Sequence, residues 1–453
     1  MSILLSLAFS FPVLAQQQPE DGRGQGLFNS EWHAGRRAAL MEKVGKGVIV
    51  LRGAGTQNDY REFRQDNNFW YFTGVTTPNA ALVMVPETGQ QTLLVPHVFK
   101  EGEIWQGNLI DAEEAGEITG LADCRYLGDR PGHYRSSIRW NGFEQLLAEL
   151  AESYDTFYIQ ANPAENWMMS RDQLETATAA IRKDPFDGRK SREAQFAGML
   201  REKLGVKTKN ITVSLDGLRV FKTPEEIEAM RQACRISGLG HEKVMKSAKA
   251  GDYEWQVAAD LTGEMLRNGA MGPGYMAIAG SGPNTCILHY SENRRALSDG
   301  DLVLVDYGAE YNHYIADITR TWPVSGKWTK RQRQVYQAVY DAQEAAFKKC
   351  KPGSNLVLVN SAARAVILER GFREGWLHGT SHWLGMATHD VGAPMASFEP
   401  GVAFTVEPGV YLPDEGFGVR IEDVVVITED GYELISGMIP RHPDHIEKLR
   451  SGK

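Results

Sequence analysis

The stretch HGTSHWLGMATHDVG, residues 378–392, carries His378, His382 and His389 at spacings of four and seven, with Gly379, Gly385 and Gly392 between them. Imidazoles in this pattern can form a three-histidine metal site, or divide the work of holding a metal and meeting a substrate. Four carboxylates stand in or at the end of strand-like runs: Asp306 closes the apolar run 302–305, Asp317 follows eleven residues later, and Glu407 (TVEPG) and Glu422 (RIEDVVVI) stand fifteen apart. Acids are depleted in strands and costly to bury unpaired, so each needs a cation. Both pairs have the spacing of a hairpin that returns an adjacent strand, the second turned by Gly409, Pro413, Gly416 and Gly418. The four acids can then meet at one point. Like charges at close range suppress each other's ionisation, so such a cluster calls for multivalent cations, and two divalent ions would neutralise it. Oxygen donors with a single imidazole suit Mn, Co, Fe or Zn in a hydrolytic two-metal centre. Any one of these acids taken alone fits an exposed strand position or a salt bridge equally well.

Other chemistries find no support. Gly379 and Thr380 follow His378, so there is no HExxH helix, and no GxxxxGK[ST] loop occurs. AGSGPN (279–284) reads as a turn, and GTSHW is not a serine-nucleophile elbow. Cys124, Cys234, Cys286 and Cys350 are scattered without a CxxC pair, which fits neither a zinc knuckle nor a disulfide framework.

The elements that must position these residues are readable in outline. A chain of 453 residues exceeds one ordinary core and implies two or three domains. Its 42% apolar and 24% charged residues describe a folded protein, and the net charge of −9 argues against nucleic acid or anionic lipid as a general partner. Segments 47–53, 80–86 and 91–97 read as strands, and 141–153 and 191–205 as helices, an alternation that predicts an α/β N-terminal domain with a mixed sheet flanked by helices. A long helix is predicted over 222–248, with Thr223 as N-cap, Pro224 in the first turn and Glu225 and Glu226 behind it. Helices over 330–350 and 356–371 follow. The domain boundary falls near 213–222, giving an N-terminal domain over 30–216 and a catalytic domain over 217–450. Residues 3–15 form an apolar run ending in small residues, like a signal peptide cleaved after Ala15 and too short to span a bilayer. Export is the expectation, or a cytoplasmic location if residues 1–15 are not a true signal, with no stable membrane association.

CILHYSEN (286–293), the run 301–327, HGTSHWLGMATHDVG, FTVEPGVYL (404–412) and GVRIEDVVVIT (418–428) resemble the successive motifs of the pita-bread metallopeptidases. Within that group they look most like the Xaa-Pro aminopeptidases (aminopeptidase P), as do YREFRQDNNFWYFTGV (60–75) and EIWQG (103–107). The resemblance implies an α+β pita-bread catalytic domain and a dinuclear site, usually manganese, with Asp306, Asp317, His382, Glu407 and Glu422 as ligands. It implies hydroxide held between the ions attacking the carbonyl that precedes proline. His289 and His389 match histidines that hydrogen-bond the scissile carbonyl or the tetrahedral intermediate, and Arg420 matches an arginine that orients the carboxylates. Glu407 matches the group that passes a proton to the leaving nitrogen. His378, Tyr411 and Trp105 match walls for the proline ring. Such enzymes are commonly dimers or tetramers, so a homo-oligomer is expected. Three departures stand out: the rim between Tyr411 and Arg420 is short, the stretch before His378 is brief, and MAT precedes His389 in place of the commoner LDV. The alternatives are a prolidase confined to Xaa-Pro dipeptides, a metal-free pita-bread scaffold, which would have lost ligands, and a creatinase-like amidinohydrolase, which would lack several of these acids.

Overall fold

The structure is a computed structural model that describes residues 26–56, 62–131, 138–166, 168 and 170–451; the apolar segment 3–15 lies outside them. The three predicted N-terminal strands form as β1 Val48–Arg52, β2 Ala81–Val85 and β3 Gln90–Val95, and are joined by β4 Cys124–Tyr126, β5 Thr156–Ile159 and β6 Lys207–Asn210. Their order across the sheet is β4-β3-β2-β1-β5-β6. The sheet is mixed, antiparallel where β1, β2 and β3 meet and parallel elsewhere. Because side chains alternate across a strand, Ile49, Leu51, Leu82 and Met84 face a core continuous with the C-terminal half. Val48, Val50, Ala81 and Val83 face Phe143, Leu146, Phe196 and Leu200 on the opposite side. Those four belong to the helices Asn141–Ser153 and Arg192–Leu204, both foreseen from their apolar spacing.

The long helix Pro224–Ser247 starts at the predicted cap. The Thr223 hydroxyl accepts from the Glu226 N–H while the Glu226 carboxylate takes the Thr223 N–H, a reciprocal pairing of two otherwise orphan donors. Helices Lys330–Phe347 and Leu356–Glu369 end two or three residues short of expectation. One reading fails: Ile278–Ser281 is a strand, and only Gly282–Cys286 turns. Gly280 suits that strand because a Cβ there would stand 2.8 Å from the Asn284 carbonyl oxygen.

The acids lie at the ends of strands. Leu302–Asp306 pairs antiparallel with Thr319–Pro323, Asp306 opposite Thr319, so Asp317 precedes the returning strand by two residues. A small hairpin, Ala309–Tyr311 with Tyr314–Ile315, intervenes. Gly308 admits the close approach this requires, since a Cβ would sit 1.7 Å from the Ala316 carbonyl oxygen. The runs around Glu407 and Glu422 are each broken in two. Ala403–Val406 pairs with Asp423–Ile427, and Gly409–Leu412 with Phe417–Arg420. Pro408, which has no N–H to give a ladder, sits at one break, and Glu422 ends the other. No helix among the described residues is long and apolar enough to cross a membrane.

Candidate active site

The broken strands bring four carboxylates and one imidazole together. His382 Nε2 lies 3.4 Å from Asp317 Oδ2, 3.6 Å from Glu407 Oε1 and 3.9 Å from Glu422 Oε1. Ligand atoms of Asp317, His382 and Glu422 all fall within 4.8 Å of one another. The Nδ1 of His382 faces the Trp383 carbonyl oxygen at 3.1 Å. That nitrogen must carry the proton, which leaves the Nε2 lone pair aimed at the carboxylates, the tautomer a metal ligand needs.

Asp306 is tied in by two groups. Arg420 Nη2 donates to its Oδ2 at 2.7 Å, and the Tyr275 hydroxyl lies 2.7 Å from its Oδ1 and 2.6 Å from Asp317 Oδ1. One phenol proton serves two carboxylates, so the pair is short of donors. Thr319 Oγ1 donates to Glu422 Oε2 and accepts from Arg420 Nε, joining the same network. Burial, then neighbouring Asp306, pushes Asp317 well above the usual carboxylate range. Burial, then Asp317 and Glu407, does the same to Glu422. Burial raises Glu407 to about 7, with His382 and Arg420 opposing. These acids favour protons over ionisation until positive charge joins them, so the donor set fits divalent metal.

A proton inventory runs outward from Arg420. Its Nη1 donates to the Tyr411 hydroxyl at 2.7 Å, the hydroxyl donates to His378 Nε2 at 2.8 Å, and His378 Nδ1–H donates to the Gly379 carbonyl at 2.7 Å. Burial, with Arg420 adding, holds the His378 pKa down at about 4, so the ring is neutral as this chain requires. Tyr411 is 1% exposed and links Arg420 to His378, presenting no open face. Partial burial lowers the His289 pKa, with Asp306 opposing and Arg420, His389 and His382 adding, and the preceding residue, Leu288, has its carbonyl oxygen 3.5 Å from Arg420 Nη2.

A cavity of about 580 Å³ opens on the side of His382 and His389 and is also lined by Arg171, Asp172, Asn360 and Asp390. The His382 and His389 rings stand 4.1 Å apart. Trp105 is not brought to this cavity: it is 73% exposed on the helix Lys100–Gln106. Ion pairs through Arg219 link the loop that carries His389 to the N-terminal half. Arg219 reaches Asp390 and Glu165, and Arg171 reaches Glu165 and Asp216. Sequence reasoning passed over Tyr275, Thr319, Asp172 and Asp390. Only Asp390 left a signal, as the acid beside His389.

A cluster of four acids and one correctly presented imidazole at the meeting of four strand ends defines a metallohydrolase centre. The "Metallopeptidase family M24" profile matches residues 228–429, and "Aminopeptidase P, N-terminal domain" matches residues 33–154. The chain is 32% identical to the Xaa-Pro aminopeptidase of Escherichia coli (strain K12), an alignment covering 91% of this chain and 96% of that one. Among solved structures, Pseudomonas aeruginosa aminopeptidase PepP matches with a TM-score of 0.77 at 29% identity, over 93% of this chain and 98% of that one. A variant of Escherichia coli aminopeptidase P in complex with substrate matches with a TM-score of 0.77 at 30% identity, over 94% and 98%. The chain belongs to the M24 metallopeptidases, in their aminopeptidase P branch, with an N-terminal aminopeptidase P domain joined to a pita-bread catalytic domain.

Proposed function

We infer that the chain is a metal-dependent aminopeptidase that releases the N-terminal residue of peptides with proline in second position. The observation that carries this is the meeting of His382 Nε2 with Asp317, Glu407 and Glu422 while its Nδ1 faces the Trp383 carbonyl oxygen. The likeness to Xaa-Pro aminopeptidases over nearly the whole chain supports the substrate class and disfavours the dipeptidase alternative. The complete set of acids speaks against a metal-free scaffold.

We further propose two ions, held by Asp306, Asp317, His382, Glu407 and Glu422, with manganese the usual occupant and cobalt, zinc or iron also suited to these donors. When bound, such a pair supplies water activated at neutral pH and positive charge for the developing oxyanion. The chain's own groups do the rest. Arg420 fixes the Asp306 carboxylate and, through Tyr411, the neutral His378. His289 and His389 are the donors assigned to the scissile carbonyl, by likeness to the family's motifs. Glu407, at the edge of the acid cluster 3.6 Å from His382 Nε2, is the group assigned to take a proton from the attacking water and return it to the leaving nitrogen. Domain limits of 30–216 and 217–450, a homo-oligomeric state and export through residues 1–15 complete the reading. The mass of the mature N-terminus and the mass in solution test the last two.

The deciding experiment is cleavage of a panel of Xaa-Pro-Yaa peptides and Xaa-Pro dipeptides by chelated protein, before and after Mn²⁺ is returned. Metal-restored cleavage of the longer peptides is the expected result. Turnover confined to dipeptides, or indifferent to metal, would refute it.

A further inference from the structure

Asp172 lies in the first turn of the helix Arg171–Lys183, in the N-terminal half, and its Oδ2 is 3.0 Å from Nδ1 of His389, 217 residues further along. A ring nitrogen facing a carboxylate must carry the proton, so Nδ1–H donates and Nε2 is left for other partners. The approach is fixed independently of this contact. The Arg171 N–H donates to the His389 carbonyl oxygen at 3.0 Å, and the Arg171 guanidinium is held at 2.6 Å by both Glu165 and Asp216. The other Asp172 oxygen takes the Gln173 N–H at 2.8 Å, which sets the rotation of the carboxylate. Asp172 and His389 line the same cavity.

We propose that Asp172 is a positioning residue for the reaction: it sets the ring plane and tautomer of His389 so that Nε2 meets the substrate. The N-terminal domain is then part of the catalytic apparatus. The proposal rests on the role assigned to His389. The Asp172 side chain is 62% exposed, so truncating it opens no buried cavity and spares the fold.

The test uses the full chain after Mn²⁺ incubation, an Xaa-Pro-Yaa peptide, and the variants Asp172→Ala, Asp172→Asn, His389→Ala and the Asp172→Ala/His389→Ala double. Asp172→Ala should lower kcat by about tenfold or more with KM and bound metal little changed, and Asp172→Asn, which still offers an acceptor oxygen, should recover part of the loss. The double variant should be no slower than His389→Ala alone, because the two residues act as a unit. Near-parental kcat in Asp172→Ala beside an impaired His389→Ala, losses that multiply in the double variant, or metal loss in Asp172→Ala would each overturn the proposal. A fully active His389→Ala would instead remove the role of His389 on which it rests.

Discussion

Arg219 and Asp390 meet at 2.5 Å with both side chains 1% exposed, joining the helix Thr212–Arg219 to the residue that follows His389. Glu165 takes the same guanidinium nitrogen at 2.8 Å. A buried charge left without its partner is costly, so Asp390→Ala should destabilise the protein by roughly 3 kcal/mol in urea unfolding. It should also slow turnover by loosening the loop that carries His389. Stability within about 0.5 kcal/mol of the parent, the range of an ordinary surface change, would show the pair to be dispensable.

The His382 and His389 rings stand close, tilted by 33°, yet should separate by function. His382→Ala removes the imidazole whose Nε2 faces Asp317, Glu407 and Glu422, and should reduce bound metal measured by elemental analysis. His389→Ala should keep its metal and lose turnover. Equal metal loss from both would contradict this division.

Gly308→Ala places a methyl group 1.7 Å from a backbone oxygen in the loop that delivers Asp317. The strain cannot be relieved by a rotamer change, so stability should fall by about 1–3 kcal/mol or more. Metal affinity should fall with it, because Asp317 shifts. Titration of bound Mn²⁺ beside thermal unfolding reads both effects, and an unaltered affinity would free Asp317 from dependence on this packing.

Glu226 is buried, accepts from the Tyr314 hydroxyl at 2.7 Å, and has its pKa raised to about 7, chiefly by burial. Its unfolded value is 4.5. Between these values the folded state binds the extra proton, so stability from this group is full below about pH 4.5, declines as pH rises to about 7, and is level above. In Glu226→Gln the decline disappears. The stability of the variant relative to the parent should therefore rise across that window, by up to about 3 kcal/mol; a pH-independent difference would rule out this titration.

Much of this architecture was legible because its causes are local. The Thr223 capping box, the helices Asn141–Ser153 and Arg192–Leu204 and the first three strands follow from spacing and caps within a few residues. The acids were legible because charge at the end of an apolar run needs a partner. The breaks at Pro408 and Ile421 were read through, since each run is apolar on both sides and only the pairing register shows where one ladder stops and the next begins. Tyr275 and Asp172 left no trace, because what gives them meaning is an acid 31 residues away and a histidine 217 residues away. Trp105 sits in a recognisable motif, but a motif does not say which surface a side chain faces, and here it faces outward.

The candidate ligands are spread from residue 306 to residue 422, and the helix that seats His389 is complete by residue 183. During synthesis the support for the histidine therefore emerges long before the acids, and Glu422 emerges last of the candidate ligands. No nascent chain that stops before Glu422 carries the full set of candidate ligands, so hydrolytic competence waits for the last strands of the catalytic half to be made.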